Sequence, residues 1–189
     1  MKIGIFGGSF DPIHNAHLHL ALDAKKEFRL ARVIFVPARI PPHKKNRKLA
    51  SPKDRSKMIS LAIKPCRGFE LSNFEIKKRH STYTYSTVMH FRKKYPGAQI
   101  YFLIGSDSLN ELKTWKDIDK LSSICGFIVA KREGYPVSRR HSLATYFTKK
   151  PIEDISATLI RKLAKKGVSL NGLVSPAVEN FIVKKGLYK

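Results

Sequence analysis

The sequence predicts a three-layer α/β domain built around a parallel sheet. Three observations point there. Short apolar runs recur along the chain, among them KIGIF near the start, RVIFVP at residues 32–37 and QIYFLI at residues 99–104. Segments with helical spacing alternate with them, and strand–loop–helix–strand is the parallel crossover unit. No internal repeat or low-complexity linker interrupts the 189 residues, a length that suits one domain with a full core.

In chain order, Lys2–Phe6 reads as a short buried strand and Gly7–Ile13 as a turn. His14–Phe28 has helical spacing, with Leu18, Ala21, Leu22 and the Lys25 stem on one side. Arg32–Pro37 is a second buried strand. Arg39–Ser51 is a basic, proline-bearing loop whose length and charge suit a mobile lid. Ser51-Pro52-Lys53-Asp54 starts a helix, with Ser as the cap and Pro at the first helical position, running to about Ile63. Phe69–Leu71 is a strand, Tyr83–Tyr95 a helix stopped by Pro96-Gly97, Gln99–Ile104 a strongly apolar strand and Ile124–Ala130 another. Ser138–Lys150 is the least readable part. Ala157–Lys166 is a helix closed by Gly167, and Ser175-Pro176 opens a last helix ending at Gly186.

Composition narrows the function classes. Hydrophobic residues make up 42% of the chain, so it should fold rather than stay disordered. No apolar run approaches the ~20 residues that span a bilayer. MKIGIFGGSF is too short and too soon broken by glycine for a signal peptide, so a cytoplasmic protein is expected. Cys66 and Cys125 form no CxxC and have no clustered His, which argues against zinc and for two free thiols. The net charge of +23 suggests nucleic acid, a membrane surface or polyphosphate ligands. The cations are spread in small clusters, several near predicted helix C-termini, so most of them read as a solvated surface.

Ligands of parallel sheets sit beyond the carboxyl ends of the strands. Two distinctive segments fall there. GIFGGSFDPIHNAH, from Gly4 to His17, is neither GxGxxG nor a P-loop. Gly7 and Gly8 allow close backbone approach, Ser9 adds a hydroxyl, and Asp11-Pro12 fixes a turn. His14 and His17 share one face in the first turn of a helix, where free N–H groups and the positive dipole end attract anions. The segment is either a phosphate cradle or a strand–helix turn with two surface histidines. A metal held by the HxxH pair lacks a third ligand. Gly105-Ser106-Asp107 follows QIYFLI, and Ile155–Thr158 opens a helix that could face the same region. Taken alone, Ser156 is an N-cap or an anion ligand, Arg161 a surface cation or a phosphate ligand, and His43 and Lys44 loop residues or ligands. Trp115, the only tryptophan, is a core aromatic or, in its polar segment, a stacking platform.

FGGSFDPIHNAH resembles the first signature of the nucleotidyltransferase superfamily with (H/T)xGH motifs. Ile155-Ser156-Ala157-Thr158-Leu159-Ile160-Arg161 resembles its second, ISSTxxR. Between them, Pro41-Pro42-His43-Lys44 resembles the PPH(K/R) loop, Ser81-Thr82-Tyr83-Thr84 the (S)YT segment and Ile104-Gly105-Ser106-Asp107 the IGxD segment, with Trp115 following. Gly186-Leu187-Tyr188 fits the close of the chain. Motifs in this order are similar to those of the bacterial nicotinate-nucleotide adenylyltransferases, which join nicotinate mononucleotide (NaMN) to the adenylyl group of ATP. Two positions depart: Ala16 stands where the family usually has Gly, and Ala157 where it has the middle Ser.

The resemblance implies a three-layer Rossmann-like nucleotidyltransferase fold with a central parallel sheet. It implies one domain over residues 1–189, with a helical segment from about 155 onward carrying ISATLIR. It also implies adenylyl transfer from ATP to NaMN, giving deamido-NAD and pyrophosphate, with Mg²⁺ bridging the phosphates and no protein metal site. The implied catalytic residues are His14, His17 and Arg161. The ATP side comprises Gly7, Gly8, Ser9, Phe10, His17, Lys44, Gly105, Arg132, Ile155, Ser156, Thr158 and Arg161. The mononucleotide side comprises Ser9, His14, Tyr83, Thr84, Asp107, Trp115 and Lys116. Within the resemblance, an acceptor such as nicotinamide mononucleotide (NMN) or phosphopantetheine is the alternative. From another class, a basic nucleic-acid-binding protein is the rival, though neither an RNP1-like aromatic motif nor helix-turn-helix spacing supports it.

Overall fold

A computed structural model of the chain describes residues 1–39, 49–80, 82–131 and 144–189. Six strands form one parallel sheet: β1 (Lys2–Gly8), β2 (Arg32–Pro37), β3 (Phe69–Leu71), β4 (Gln99–Gly105), β5 (Gly126–Ala130) and β6 (Thr145–Phe147). The helices are α1 (Asn15–Glu27), α2 (Pro52–Ile63), α3 (Thr84–Lys94), α4 (Ser106–Asn110), α5 (Ile118–Ser122), α6 (Ala157–Lys165) and α7 (Pro176–Lys185). Strand order is β3-β2-β1-β4-β5-β6. The chain winds outward from β1 in one direction and from β4 in the other. The carboxyl ends of these two neighbours therefore bound the crevice where a doubly wound sheet binds its ligand.

Alternation along the strands builds two cores. On one face Phe6, Val33, Phe35, Leu103 and Ile128 meet α1, α2, α6 and α7, through residues such as Ala21, Met58, Ile160 and Val178. On the other, Ile3, Ile5, Ile34, Phe102 and Val129 meet α3, α4 and α5, through Val88, Leu109 and Leu121. Strands apolar on both sides are what a sheet covered by helices on both faces requires. α6 and α7 pack into the same core as α1 and α2.

The predicted elements recur with boundaries close to those expected. Ser51 caps α2, its Oγ accepting from the Asp54 amide at 3.1 Å with Pro52 at the first position. Gly186 closes α7 at φ 59°. Three readings need correction. Leu22 is 43% exposed, while Leu20 and Ala24 complete the buried stripe of α1 with Ala21. Residues 106–122, given no element from sequence, hold α4, a 3₁₀ turn at Leu112–Thr114 and α5. Their pieces are too short for periodicity to register. β6 lies within the unreadable stretch, its three residues pairing on β5 alone. Cys66 and Cys125 are free thiols; Cys125 is buried, and desolvation pushes its thiol up to about 12. Among the described residues no helix is long and apolar enough to cross a membrane.

Gly7 is where sheet and crevice constrain each other most tightly. A Cβ there would come within 2.8 Å of the Phe102 ring, which also stands edge-on to Trp115 at 5.9 Å and 88°. Gly7→Ala is therefore expected to cost about 1–3 kcal/mol through overpacking. Differential scanning calorimetry should show the melting temperature falling by several degrees, about 2–4 °C per kcal/mol for a domain of this size. An unchanged melting temperature would show that Phe102 can yield.

Candidate active site

A cleft of about 520 Å³ opens at the carboxyl ends of β1 and β4. All the site residues expected from sequence line it, with two exceptions: Lys44 and Arg132 lie outside the described residues, as do Pro41, Pro42, His43 and Ser81 and most of the loop read as a lid.

The loop after β1 forms the floor. Gly7 and Gly8, read as allowing close backbone approach, both line the cleft, and the space their missing Cβ atoms leave is taken by rings: Phe102 against Gly7 and Phe10 against Gly8. Phe10 holds φ 46° and its ring is buried, packed on Phe6 and Phe35 and edge-on to His17 at 5.1 Å. His14 is the N-cap of α1, buried, with its ring stacked on His17 at 3.6 Å. The backbone N–H of His14 donates to His17 Nδ1 at 3.3 Å. With Nδ1 an acceptor, neutral His17 carries its proton on Nε2, which makes that nitrogen a donor. The imidazole is held between His14 and the edges of Phe6 and Phe10, so its orientation is set by packing. Ala16, in the first turn of α1, is buried and lines the cleft, its methyl accommodated in the wall.

α6 supplies a second wall. Ser156 is its N-cap, accepting from the Leu159 amide at 3.2 Å, as the plainer reading of that residue had it; it also lines the cleft. Thr158 Oγ1 accepts from Arg161 Nη2 at 3.1 Å, and Arg161 Nη1 donates to the Asp11 carbonyl at 2.7 Å. Arg161 is thus tied to the β1 loop, 150 residues away in sequence. Ile155 and Ile152 complete this side.

The opposite wall follows β4. A Cβ on Gly105 would collide with the Asp107 carboxylate, so glycine is what lets that side chain fold back over the strand end in the first turn of α4. Tyr83 and Thr84 open α3, Trp115 follows the 3₁₀ turn, and Lys116 Nζ sits 4.5 Å from the centroid of the Tyr83 ring. The structure thus brings Tyr83, Thr84, Trp115 and Lys116 together. Trp115 is half-buried and faces the cleft, with Phe102 behind it.

Several functional-site residues escaped sequence reasoning. Asp11 was read as turn chemistry, yet its side chain is 1% exposed, with Oδ1 accepting from the Ala50 amide at 3.1 Å and the Tyr188 hydroxyl at 2.9 Å. Arg55, also 1% exposed, donates to the carbonyls of Ser9, Arg39 and Ala50 at 2.7, 3.0 and 3.1 Å. The available signal was a charged residue in phase with the apolar stripe Met58, Ile59, Ala62 and Ile63 of α2. Glu75 left no such trace. It lines the cleft at 8% exposure and accepts from Thr87 Oγ1 at 2.6 Å. Lys116 and Arg161 are the only Lys or Arg side chains among the described residues lining the cleft, so the bulk of the described basic residues lies elsewhere.

Chemically the cleft is built for polyanions. The N-termini of α1, α3 and α6 line it, each turning the positive end of a helix dipole toward it. Two imidazoles and a guanidinium add oriented donors. No cysteine is among the described residues that line it, and among the described residues no three His, Cys, Asp or Glu side chains could hold a metal ion.

The profile of the cytidylyltransferase-like family matches residues 5–163. A Clostridium novyi protein named "probable nicotinate-nucleotide adenylyltransferase" is 38% identical over 100% of this chain and 99% of its own length. A protein of the same name from Clostridium botulinum strain Okra is 40% identical over 98% of each. The chain belongs to this family, in its nicotinate-nucleotide adenylyltransferase branch. A solved Plasmodium falciparum nicotinic acid mononucleotide adenylyltransferase, complexed with NaAD, shares the fold of this family member, with a TM-score of 0.85 at 23% identity over 99% of this chain and 97% of that one.

Glu75 gives this adenylyltransferase-family chain a testable pH signature. Burial raises its carboxyl to about 7 from an ordinary 4.5, with Thr87 pulling the other way. Native protein keeps this proton while unfolded chain releases it, so the Glu75 contribution to stability falls as pH rises from 4.5 to about 7 and is level above. Glu75→Gln removes that slope. Urea unfolding at stepped pH should show wild type losing on the order of 3 kcal/mol relative to the variant across that window. Parallel curves for the two proteins would refute it.

Proposed function

We propose that this protein transfers the adenylyl group of ATP to nicotinate mononucleotide, releasing pyrophosphate and deamido-NAD, as a cytoplasmic enzyme of NAD biosynthesis. One observation carries the reading. Three helix N-termini, two stacked imidazoles and a tethered arginine meet in one cleft at the switch point, in a chain whose full-length relatives bear that name.

A mononucleotide 5′-phosphate oxygen attacks the α-phosphorus of ATP. The new P–O bond forms as the bond from the α-phosphorus to the bridging oxygen breaks, and pyrophosphate departs with the electron pair. The nucleophile is already an anion, so no protein base is needed. Catalysis is in-line positioning plus stabilisation of charge on the crowded phosphate. His17, through Nε2–H, and His14 hold the reacting phosphates, with Ser9 and the amides near Gly7, Gly8 and Phe10 beneath them. Arg161 and Lys44 take the β- and γ-phosphates, with Ile155, Ser156 and Thr158 at the mouth of α6. Gly105 borders the adenine, Arg132 serves the ATP side, and Asp107 accepts from ribose hydroxyls. Trp115 stacks on the pyridine ring, while Tyr83, Thr84 and Lys116 present donors to its carboxylate. Mg²⁺ prefers hard oxygen ligands and bound water, so the phosphates of ATP would be its main ligands, where it would neutralise charge, and no described residue of the chain is assigned to hold it.

The reading is tested by pyrophosphate release with ATP, Mg²⁺ and each mononucleotide in turn. Turnover with NaMN should exceed that with NMN; equal or faster turnover with NMN would move the substrate. Trp115→Ala should raise the KM for NaMN about ten-fold, the worth of one stacked base, and leave that for ATP unchanged. His17→Ala should lower kcat by about 10²–10³-fold, as loss of an oriented transition-state donor does. Survival of kcat within a few-fold would remove His17 from that role.

A further inference from the structure

We propose that Tyr188 is a positioning residue for the ATP phosphates, acting through Asp11 to fix the guanidinium of Arg161. The inference rests on Arg161 being a ligand of ATP.

Arg161 reaches the cleft with both terminal nitrogens already committed to protein: Nη1 on the Asp11 carbonyl at 2.7 Å and Nη2 on Thr158 Oγ1 at 3.1 Å. Nη1 also lies 3.8 Å from Asp11 Oδ2. That oxygen is buried and has no hydrogen-bond partner among the described residues, and Arg161 is the cation within ion-pair distance of it, with Arg55 as a second positive charge near the same carboxylate. The place of Asp11 therefore decides where the guanidinium points and which N–H groups remain for phosphate. Asp11 is in turn held from two sides, by the Ala50 amide at 3.1 Å and the Tyr188 hydroxyl at 2.9 Å, both on Oδ1. Rotation of the carboxylate would break both.

Tyr188 is built for that task. It follows α7 and sits at φ 69°, in the left-handed region that costs a bulky residue energy. The side chain of this residue is held at both ends, its ring packed against the core and its hydroxyl on Asp11. Burial and the Asp11 charge both push the phenol well above its usual range, so it stays a proton donor. The route runs from the last helix to the β1 loop and back to α6.

The test uses the full chain. Tyr188→Phe removes one hydroxyl and keeps the ring. The loss of one hydrogen bond to a charged group should raise the ATP dissociation constant and the KM for ATP about ten-fold, with the KM for NaMN little changed and the melting temperature lowered by the few degrees that one buried hydrogen bond is worth. Tyr188→Phe in an Arg161→Ala background should add nothing, because the group it orients is gone. Arg161→Ala alone, measured by calorimetry with ATP and no acceptor, must first weaken ATP; if it does not, Arg161 is no ATP ligand and the inference falls for that reason, whether or not the enzyme turns over NaMN. Unchanged ATP parameters in Tyr188→Phe would overturn the proposal. So would equal weakening of both substrates, or multiplying effects in the double variant. If Tyr188→Phe does not fold, Asp11→Asn decides, since the amide oxygen can still accept from Tyr188: an ATP-selective loss supports the route, and unaltered ATP binding refutes it.

Discussion

Arg55 is a full charge with almost no contact with water, and the geometry of the cleft floor depends on how that charge is used. Its guanidinium spends its donors on three backbone carbonyls: Ser9 from the β1 loop, Arg39 after β2 and Ala50 before α2. Burial alone lowers its proton affinity and Asp11 restores part of it; an arginine stays protonated through such a shift. Removing it would leave three part-buried carbonyls without this donor, at up to about 1–3 kcal/mol for each that water does not reach. Segments with no common secondary structure are thereby set relative to one another by one side chain. The Ser9 carbonyl cannot shift without breaking this clamp. Asp11, two residues on, is fixed by the Ala50 amide from one end of the same clamp.

That clamp explains how a loop can do precise work. β1 ends at Gly8 and α1 begins at Asn15, and the six residues between carry Ser9, Asp11 and His14. Left to itself such a connection would be the mobile part of the sheet edge. Here its carbonyls are taken by Arg55 and Arg161, its carboxylate by Ala50 and Tyr188, and its ring at Phe10 by the core. The loop inherits the rigidity of the sheet face that α2, α6 and α7 cover. Oriented donors stabilise developing charge without reorganising, which is the property a phosphoryl-transfer site needs.

The fold was legible in the sequence because parallel strands buried on both faces are continuous apolar runs, and KIGIF, RVIFVP and QIYFLI each became a strand of the predicted sheet. The floor of the site was legible because helix mouths, histidines and glycines leave local marks. What was not legible was long-range. Nothing local in the sequence marks the bond from Tyr188 to Asp11, or from Arg161 to the Asp11 carbonyl, since the partners are 177 and 150 residues apart. The glycines were visible but their packing was not: the sequence shows that a Cβ is missing, and only the fold shows that Phe102 and Phe10 fill the space. Residues 106–122 escaped because short helical pieces are fixed by the core they cap, through Leu109, Leu112 and Leu121, rather than by their own periodicity.

The charge of the chain and the charge of the site turn out to be separate matters. Most of the net +23 reads from sequence as a solvated surface, and the described lining holds Lys116 and Arg161 and no other Lys or Arg. Two phosphorylated ligands brought side by side repel each other, and flexible lysines would offset this only by giving up side-chain entropy on each turnover. Helix N-termini have no such entropy to lose, because folding has already fixed them. Placing three of them around one crevice follows from the topology: α1 leaves β1, α3 leads into β4, and α6 returns across the face that α1 covers. The imidazole pair and the tethered arginine then refine a field that the sheet order has already made. A fold of this kind can bind polyanions with a nearly neutral surface, so the excess basic charge is free to serve solubility or diffusional encounter with anionic substrates.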